Sequence, residues 1–278
     1  MMDSSNTQKM KGKIESVAAL PTIPSNLKRI ATMLEKPRLA LDELARFISH
    51  DPALTTKVLT MVNSASYGFP GRISSVSHAI MLLGLNVIRG LLLGVSVVDL
   101  MQKNMNGLWE HSCACAVAAR CIAQQKNVKK PEEISTCALL HDIGKVTIML
   151  QYPDEYEQAL RCVQEKNIVI YNAETLFLPA SHAEAGCWLA RKCRFPLNLV
   201  EVIEFHHRPQ AAKQAPLETA IVHVADILVR AKGVGFPGDG FVPPVQPSAW
   251  QLLNLSDRDV HDVLMQIEDS TSLPGEPN

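Results

Sequence analysis

Apolar residues recur at spacings of three and four through nearly every segment from residue 14 to residue 232, separated by short polar or Pro/Gly breaks. Alternation of apolar and polar positions, the mark of a half-buried strand, is scarce. The pattern predicts an all-α protein, a two-lobed helical bundle. In the first lobe, residues 16–105, Pro24 opens a helix through Leu34 and Leu41 starts another through Ser49. Asp51-Pro52 opens a third that carries Leu54, Val58, Leu59 and Val62, with proline at home in a first turn and Asp51 placed to cap it. The stretch NSASYGFPGRISSVSHAIMLLG supplies a loop and a new helix start. Residues 79–101, AIMLLGLNVIRGLLLGVSVVDLM, are nearly long enough to cross a bilayer, but Asn86, Arg89 and the glycines at 84, 90 and 94 interrupt them. A buried helix pair, with the glycines admitting close neighbours, is the expectation, and no membrane contact.

The second lobe, residues 106–232, begins with a helix from near Leu108 to Gln125, with Cys115, Ala118, Ala119 and Ile122 as its apolar stripe. The next runs from Pro131 to a terminus at His141-Asp142, with Gly144 expected as a left-handed stop. Ser181 and Glu184 match a capping box, which puts His182 in the first turn of its helix. A further helix runs from Pro196 to His206-His207, and another from Leu217 to Ala231 carries Asp226. Residues 233–249 are Gly/Pro-rich and read as a long surface loop, and residues 250–268 as a terminal amphipathic helix with a break at Ser256-Asp257. Residues 1–15 lack the apolar run of a secretory signal and are expected to be a flexible tail; residues 269–278 are expected to be disordered.

Composition narrows the function. With 47% hydrophobic, 20% charged and 5% aromatic residues, the 278-residue chain is an ordinary globular protein whose helices pack through Ala, Leu, Ile and Val. A formal net charge of −1 excludes the electrostatic footprint of a duplex nucleic-acid binder, while leaving room for a small basic pocket. The seven cysteines include no CxxC pair, and Cys113, Cys121, Cys187 and Cys193 fall in apolar helical patterns, so they read as reduced core residues of a cytoplasmic protein.

The chemistry centres on His141-Asp142 in LLHDIGK. A neutral imidazole followed by a carboxylate places two ligand types at one point of the backbone, and the second carboxylate oxygen is free to bridge a second ion. Alone, the dipeptide is a helix end with a solvated acid. With His111 upstream and His182, His206, His207 and Asp226 downstream, a metal site becomes the better reading. His111, His141, Asp142 and Asp226 form a plausible first site; Asp142 bridges to a second that takes His182 with His206, His207 or both. Mixed imidazole and carboxylate ligation suits two divalent transition metal ions (Fe, Mn, Ni, Co or Zn), and the absence of thiolate ligands argues against a Cys-rich structural zinc. Two such ions could activate water and clamp a phosphate oxygen, with Asp142 and Lys145 catalytic and Lys145 and Arg208 as phosphate contacts. Each histidine also reads as an ordinary helix-end or capping residue. Asp226 is harder to dismiss, because it interrupts the apolar run IVHVADILV and an unpaired buried carboxylate is costly. His223 reads as a supporting or core residue, and His50, His78 and His261 have no ligand context.

The chain resembles the HDOD (HD-related output domain) family of the HD superfamily of metal-dependent phosphohydrolases. LPTIPSNLKRIATML and the stretch from ELARFISHDPAL through NSASYGF to AIMLLGLNVIRGLLLG carry the likeness, and an HDOD signature is expected over about residues 20–213. The second lobe resembles the HD and HD-GYP branch in His111, His141-Asp142 with IGK, SHAEAG at His182, His206-His207 and VADIL at Asp226. No Gly-Tyr-Pro follows the HH pair, and Gly107 stands where some HD-GYP proteins place a glutamate for a third metal, so the resemblance implies two ions at most. It implies a bacterial signal-transduction or output protein with a retained metal site. The alternative is an active phosphohydrolase or phosphodiesterase on a nucleotide or cyclic dinucleotide, and a weaker one a di-iron oxygenase. The partners implied are signalling proteins or a small phosphorylated ligand; oligomeric state is not readable.

Overall fold

The computed structural model describes residues 4–16, 25–36 and 39–272, and among them every regular element is helical. Helices α2 (Ser25–Leu34), α3 (Leu41–Ser49) and α4 (Pro52–Val62) pack around α5 (Val76–Asn104). Asp51 caps α4 by accepting the Leu54 N–H at 3.0 Å. Pro24, expected to open the first of these helices, lies outside the described residues. The apolar segment is a helix pair within α5: Gly84, at φ +78° and ψ 171°, breaks the helical backbone where a side chain would be strained. By length and composition α5 could cross a membrane, yet 72% of its most apolar window is buried against the rest of the chain.

The remaining helices are α6 (Leu108–Gln125), α7 (Pro131–Leu140), α8 (Ile143–Gln151), α9 (Pro153–Lys166), α10 (Ile170–Phe177), α11 (His182–Lys192), α12 (Leu197–Phe205), α13 (Pro216–Lys232), α14 (Pro247–Leu253) and α15 (Asp257–Ser272). The tightest partners are α6 with α7 and α13, and α8 with α11. Both halves share one continuous core running from Met10 to Ile267. Polar contacts also cross between them: Tyr67 and Thr136 hydroxyls meet at 3.0 Å, and Ser135 donates to the Ser66 carbonyl at 2.7 Å.

Four expectations need correction. The N-terminal segment is a helix, α1 (Ser4–Glu15), docked on α8 and α11 through Met10 and Ile14, which lie one turn apart on one face and are fully buried. Gly144 is not a left-handed stop: α8 starts at Ile143, directly after the HD pair, and Gly144 is a helical residue at a helix crossing. The terminal helix has its expected break, at Asn254–Ser256 with Asn254 in the left-handed region at φ +43°, but its first part, α14, starts already at Pro247, so the loop ends at Gln246. Residues 269–272, expected to be disordered, belong to α15; the rest of that tail lies outside the described residues.

That loop is tied down. Asp239 accepts the Ile170 N–H and the Arg230 guanidinium, Phe236 N–H donates to the Gly107 carbonyl at 2.9 Å, and Gln246 N–H donates to His223 Nε2 at 3.0 Å. These bonds press it against the start of α6 and the middle of α13.

Candidate metal centre

Five helix segments deliver the side chains. His111 stands in the first turn of α6, and His141-Asp142 occupies the two-residue junction of α7 and α8. His182 is the first residue of α11, fixed by the capping box in which Ser181 and Glu184 satisfy each other's backbone donors. His206-His207 ends α12, and Asp226 lies in the middle of α13. Convergence follows from the crossings of α8 with α11 and of α6 with α13. All seven predicted ligands fall in two adjoining groups, His111, His141 and Asp226 with Cys115, and Asp142, His182, His206 and His207, with ligand atoms in each group within 4.8 Å of one another.

Hydrogen bonding orients the rings. His141 Nδ1 donates to the Ala138 carbonyl at 2.6 Å, and His206 Nδ1 to the Ile203 carbonyl at 2.8 Å. His182 Nδ1 lies 2.7 Å from a Glu174 carboxylate oxygen, which also accepts the His182 backbone N–H. A ring that donates through Nδ1 offers the lone pair of Nε2, and partners of this kind set the tautomer of metal-binding histidines. The Nε2 atoms point at one another and at Asp142: His182 Nε2 is 3.1 Å from Asp142 Oδ1, 2.9 Å from His207 Nε2 and 3.4 Å from His206 Nε2. On the other side His111 Nε2 is 3.0 Å from Asp226 Oδ1 and 4.0 Å from Asp142 Oδ2.

Acceptors in such density call for cations. His141 Nε2 and Asp142 Oδ1 are buried without a well-aligned hydrogen bond, their polar neighbours being Asp142 Oδ2 at 3.3 Å and His182 Nε2 at 3.1 Å. Four carboxylates (Asp142, Glu174, Asp226 and Asp239) are buried here against two formal cations, Lys145 and Arg230. The protein's own charges meet part of the demand: Lys145 Nζ donates to Asp142 at 2.6 Å, and Arg230 to Asp226 and Asp239 at 2.9 Å each. Burial raises the pKa of both metal-facing aspartates, but His141 and Lys145 at Asp142, and Arg230 and His111 at Asp226, outweigh it and hold both well below the usual carboxylate range. Burial and then neighbouring imidazoles push His206 and His207 far down, and burial lowers His111. At His182 burial is outweighed, with Glu174 foremost, and the pKa rises. Neutral imidazoles and ionised carboxylates are the forms that bind transition metals; His111, His206, His207 and both aspartates are pushed toward those forms, and His182 would release its proton on binding, so the donor set fits the ions the sequence implies.

Two predicted phosphate contacts stand differently. Lys145 is fully buried and engaged with Asp142, whereas Arg208 is exposed beyond the end of α12, its guanidinium carbon 6.0 Å from the Phe205 ring. Sequence reasoning passed over Glu174, Arg230 and Cys115. Arg230 and Cys115 had a signal, each four residues from a candidate ligand, Asp226 and His111 respectively. Tyr171, also unforeseen, half-buried on α10, places its ring 4.5 Å from that of His207. His223 supports the site from α13, donating through Nδ1 to the His206 carbonyl at 2.7 Å.

The sequence pattern of the HDOD domain matches residues 20–209, more than half of the chain. The chain belongs to the HDOD domain family. Among solved structures this HDOD protein is similar to an HDOD domain protein of unknown function from Geobacter sulfurreducens, at 29% identity and TM-score 0.67, with 95% of each chain covered. It shares its fold with a protein from Shewanella amazonensis provisionally called a phosphohydrolase, at 19% identity and TM-score 0.60 over 96% of this chain and 99% of that one. An uncharacterised protein of Treponema pallidum is 29% identical over 216 residues, 76% of this chain and 42% of the relative. The HDOD protein spans less than half the length of the curated relatives it matches.

Proposed function

We propose that this HDOD protein is a signal-transduction output module of the cytoplasm whose side chains would hold two divalent transition metal ions. His111, His141 and Asp226 would hold the first and His182, His206 and His207 the second, with Asp142 shared between them. The observation that carries the reading is the inward aim of the Nε2 atoms of His141, His182 and His206, each held by a bond from its own Nδ1. Closure favours an output role over turnover. Every one of these side chains except His207 is at most 2% exposed, so a phosphate ester has no open approach past the helices. Metal binding would then lock α6, α8, α11, α12 and α13 together, and a signalling protein or small phosphorylated ligand would read or shift that locked state.

The second reading is an active phosphohydrolase. Lys145 favours it, a cation buried beside the bridging carboxylate where a developing negative charge on phosphate would be stabilised. The ions would supply a lowered water pKa and charge neutralisation of the phosphate. Asp142 would orient that water, and opening at Tyr171 and His207 would be needed to admit substrate.

Elemental analysis of the purified protein tests the first claim, with about two ions per chain expected and fewer in Asp142→Ala. Phosphodiester hydrolysis with Mn or Fe separates the roles: bound metal without turnover supports the output module, and turnover abolished by Asp142→Ala supports the hydrolase. Protein that takes up no transition ion refutes both.

A further inference from the structure

The first group of donors contains a thiol. Cys115 follows His111 by four residues on α6, so the two side chains leave the same face of the helix. Its Sγ lies 3.4 Å from His111 Nε2, fully buried, and it clusters with His141 and Asp226. Two ligand atoms at neighbouring positions on one ion, one through an N bond and one through an S bond, are separated by about 3.1–3.6 Å, given metal–nitrogen and metal–sulfur bonds of about 2.1 and 2.3 Å. The His111–Cys115 pair already has that separation. A structural cysteine on an apolar stripe would face aliphatic neighbours, but this one meets an imidazole whose Nε2 also contacts the Asp226 carboxylate at 3.0 Å. One ring nitrogen cannot both donate to Asp226 and accept from the thiol, and His141 Nε2, in the same group, is buried without a hydrogen bond, its carboxylate neighbour Asp142 Oδ2 standing at 3.3 Å.

We propose that Cys115 is a thiolate ligand of the first metal ion, joining His111, His141, Asp226 and the shared Asp142 in a set that selects zinc, cobalt or iron(II) over manganese and magnesium. The inference rests on the proposed metal site. On binding, the Sγ–H bond breaks, its proton passes to solvent, and the sulfur lone pair is donated to the ion; nothing is oxidised or reduced. A soft sulfur donor is what biases an otherwise hard oxygen and nitrogen site toward the softer ions.

Cobalt(II) added to chelator-treated full-length protein tests it. Expected are bound cobalt by elemental analysis and a near-ultraviolet sulfur-to-cobalt charge-transfer band, present in the parent and in a Cys121→Ser control and lost in Cys115→Ser and Cys115→Ala. X-ray absorption of the cobalt-loaded parent, which needs no variant, should place one sulfur at about 2.3 Å from the ion. Cobalt bound without the band and without a sulfur neighbour overturns the cysteine assignment and leaves the metal site standing, as does a band that survives in Cys115→Ser. Failure to bind cobalt overturns both.

Discussion

Gly144→Ala should separate the two halves of the metal centre although the residue touches no ion. Gly144 sits where α8 crosses α11, and a Cβ placed there would lie 1.9 Å from the His182 carbonyl oxygen and 2.6 Å from the Gly186 nitrogen. Both obstacles are backbone, so no rotamer change relieves them. Restoring ordinary contact at 3.4 Å requires the helices to part by about 1.5 Å at the crossing. Overpacking of this kind costs about 1–3 kcal/mol where side chains can yield, and the upper end applies when they cannot. Alanine returns about 1 kcal/mol through its better helix propensity, which leaves a net loss of about 2 kcal/mol. His182 is the first residue of α11, so the displacement falls directly on its 3.1 Å contact with Asp142. Urea unfolding of chelator-treated protein should show the loss of stability, and elemental analysis should show the second ion depleted while the first is kept. Gly12→Ala is the control: on α1, with nothing within 4 Å of the position its Cβ would take, it should gain about 0.5–1 kcal/mol. A Gly144→Ala protein that unfolds at the parent's urea midpoint with full metal content would refute the crossing argument.

Glu174→Gln keeps a hydrogen-bond acceptor but removes the charge that does most to raise His182, and should weaken the second ion about 10–100-fold in competition with a chelating dye; unchanged affinity counts against the orienting role. Arg230→Met strips the counter-charge from Asp226 and Asp239 and should cost about 3–5 kcal/mol in chelator-treated protein, part of it recovered on adding zinc, as thermal melts with and without the ion will show. Chelator-treated protein should also lose stability as pH falls from 6.5 to 5.5. His206 and His207, neutral in the fold because burial and neighbouring imidazoles depress them, bind protons only when unfolded in this window; His111, lowered by burial, acts in the same direction, and His182, raised, offsets a small part of the loss. Two such protons, partly bound at the start of the window, give about 2 kcal/mol across that pH unit, and a flat urea midpoint from 6.5 to 5.5 would contradict it.

The helical architecture was legible because its signals are local: a period of three and four, a proline after Asp51, Ser181 three residues before Glu184. What depends on which faces meet was not. α1 hid because its low overall hydropathy conceals a two-residue apolar face, Met10 and Ile14, which matters only where α8 and α11 receive it. Gly144 after a helix end reads as a left-handed stop in sequence, and only the α8–α11 crossing reveals it as a point of backbone contact. Glu174 carries no sequence mark that pairs it with His182, since the turn between α10 and α11 makes that contact.

Cys115 and Asp226 show the same limit from opposite sides. A carboxylate inside an apolar run announces itself, because burying it demands a cation, and Arg230 one turn later answers part of that demand. A thiol inside an apolar run announces nothing, because a neutral sulfur is as content in a core as alanine is. Its meaning comes only from His111 and Asp226 standing beside it. With two side-chain cations set among four buried carboxylates, the polar cluster is short of positive charge. An ion that made up the shortfall at the first site would meet Cys115 within the same group of donors, which is why the thiol belongs to the metal chemistry as well as to the apolar stripe it sits in.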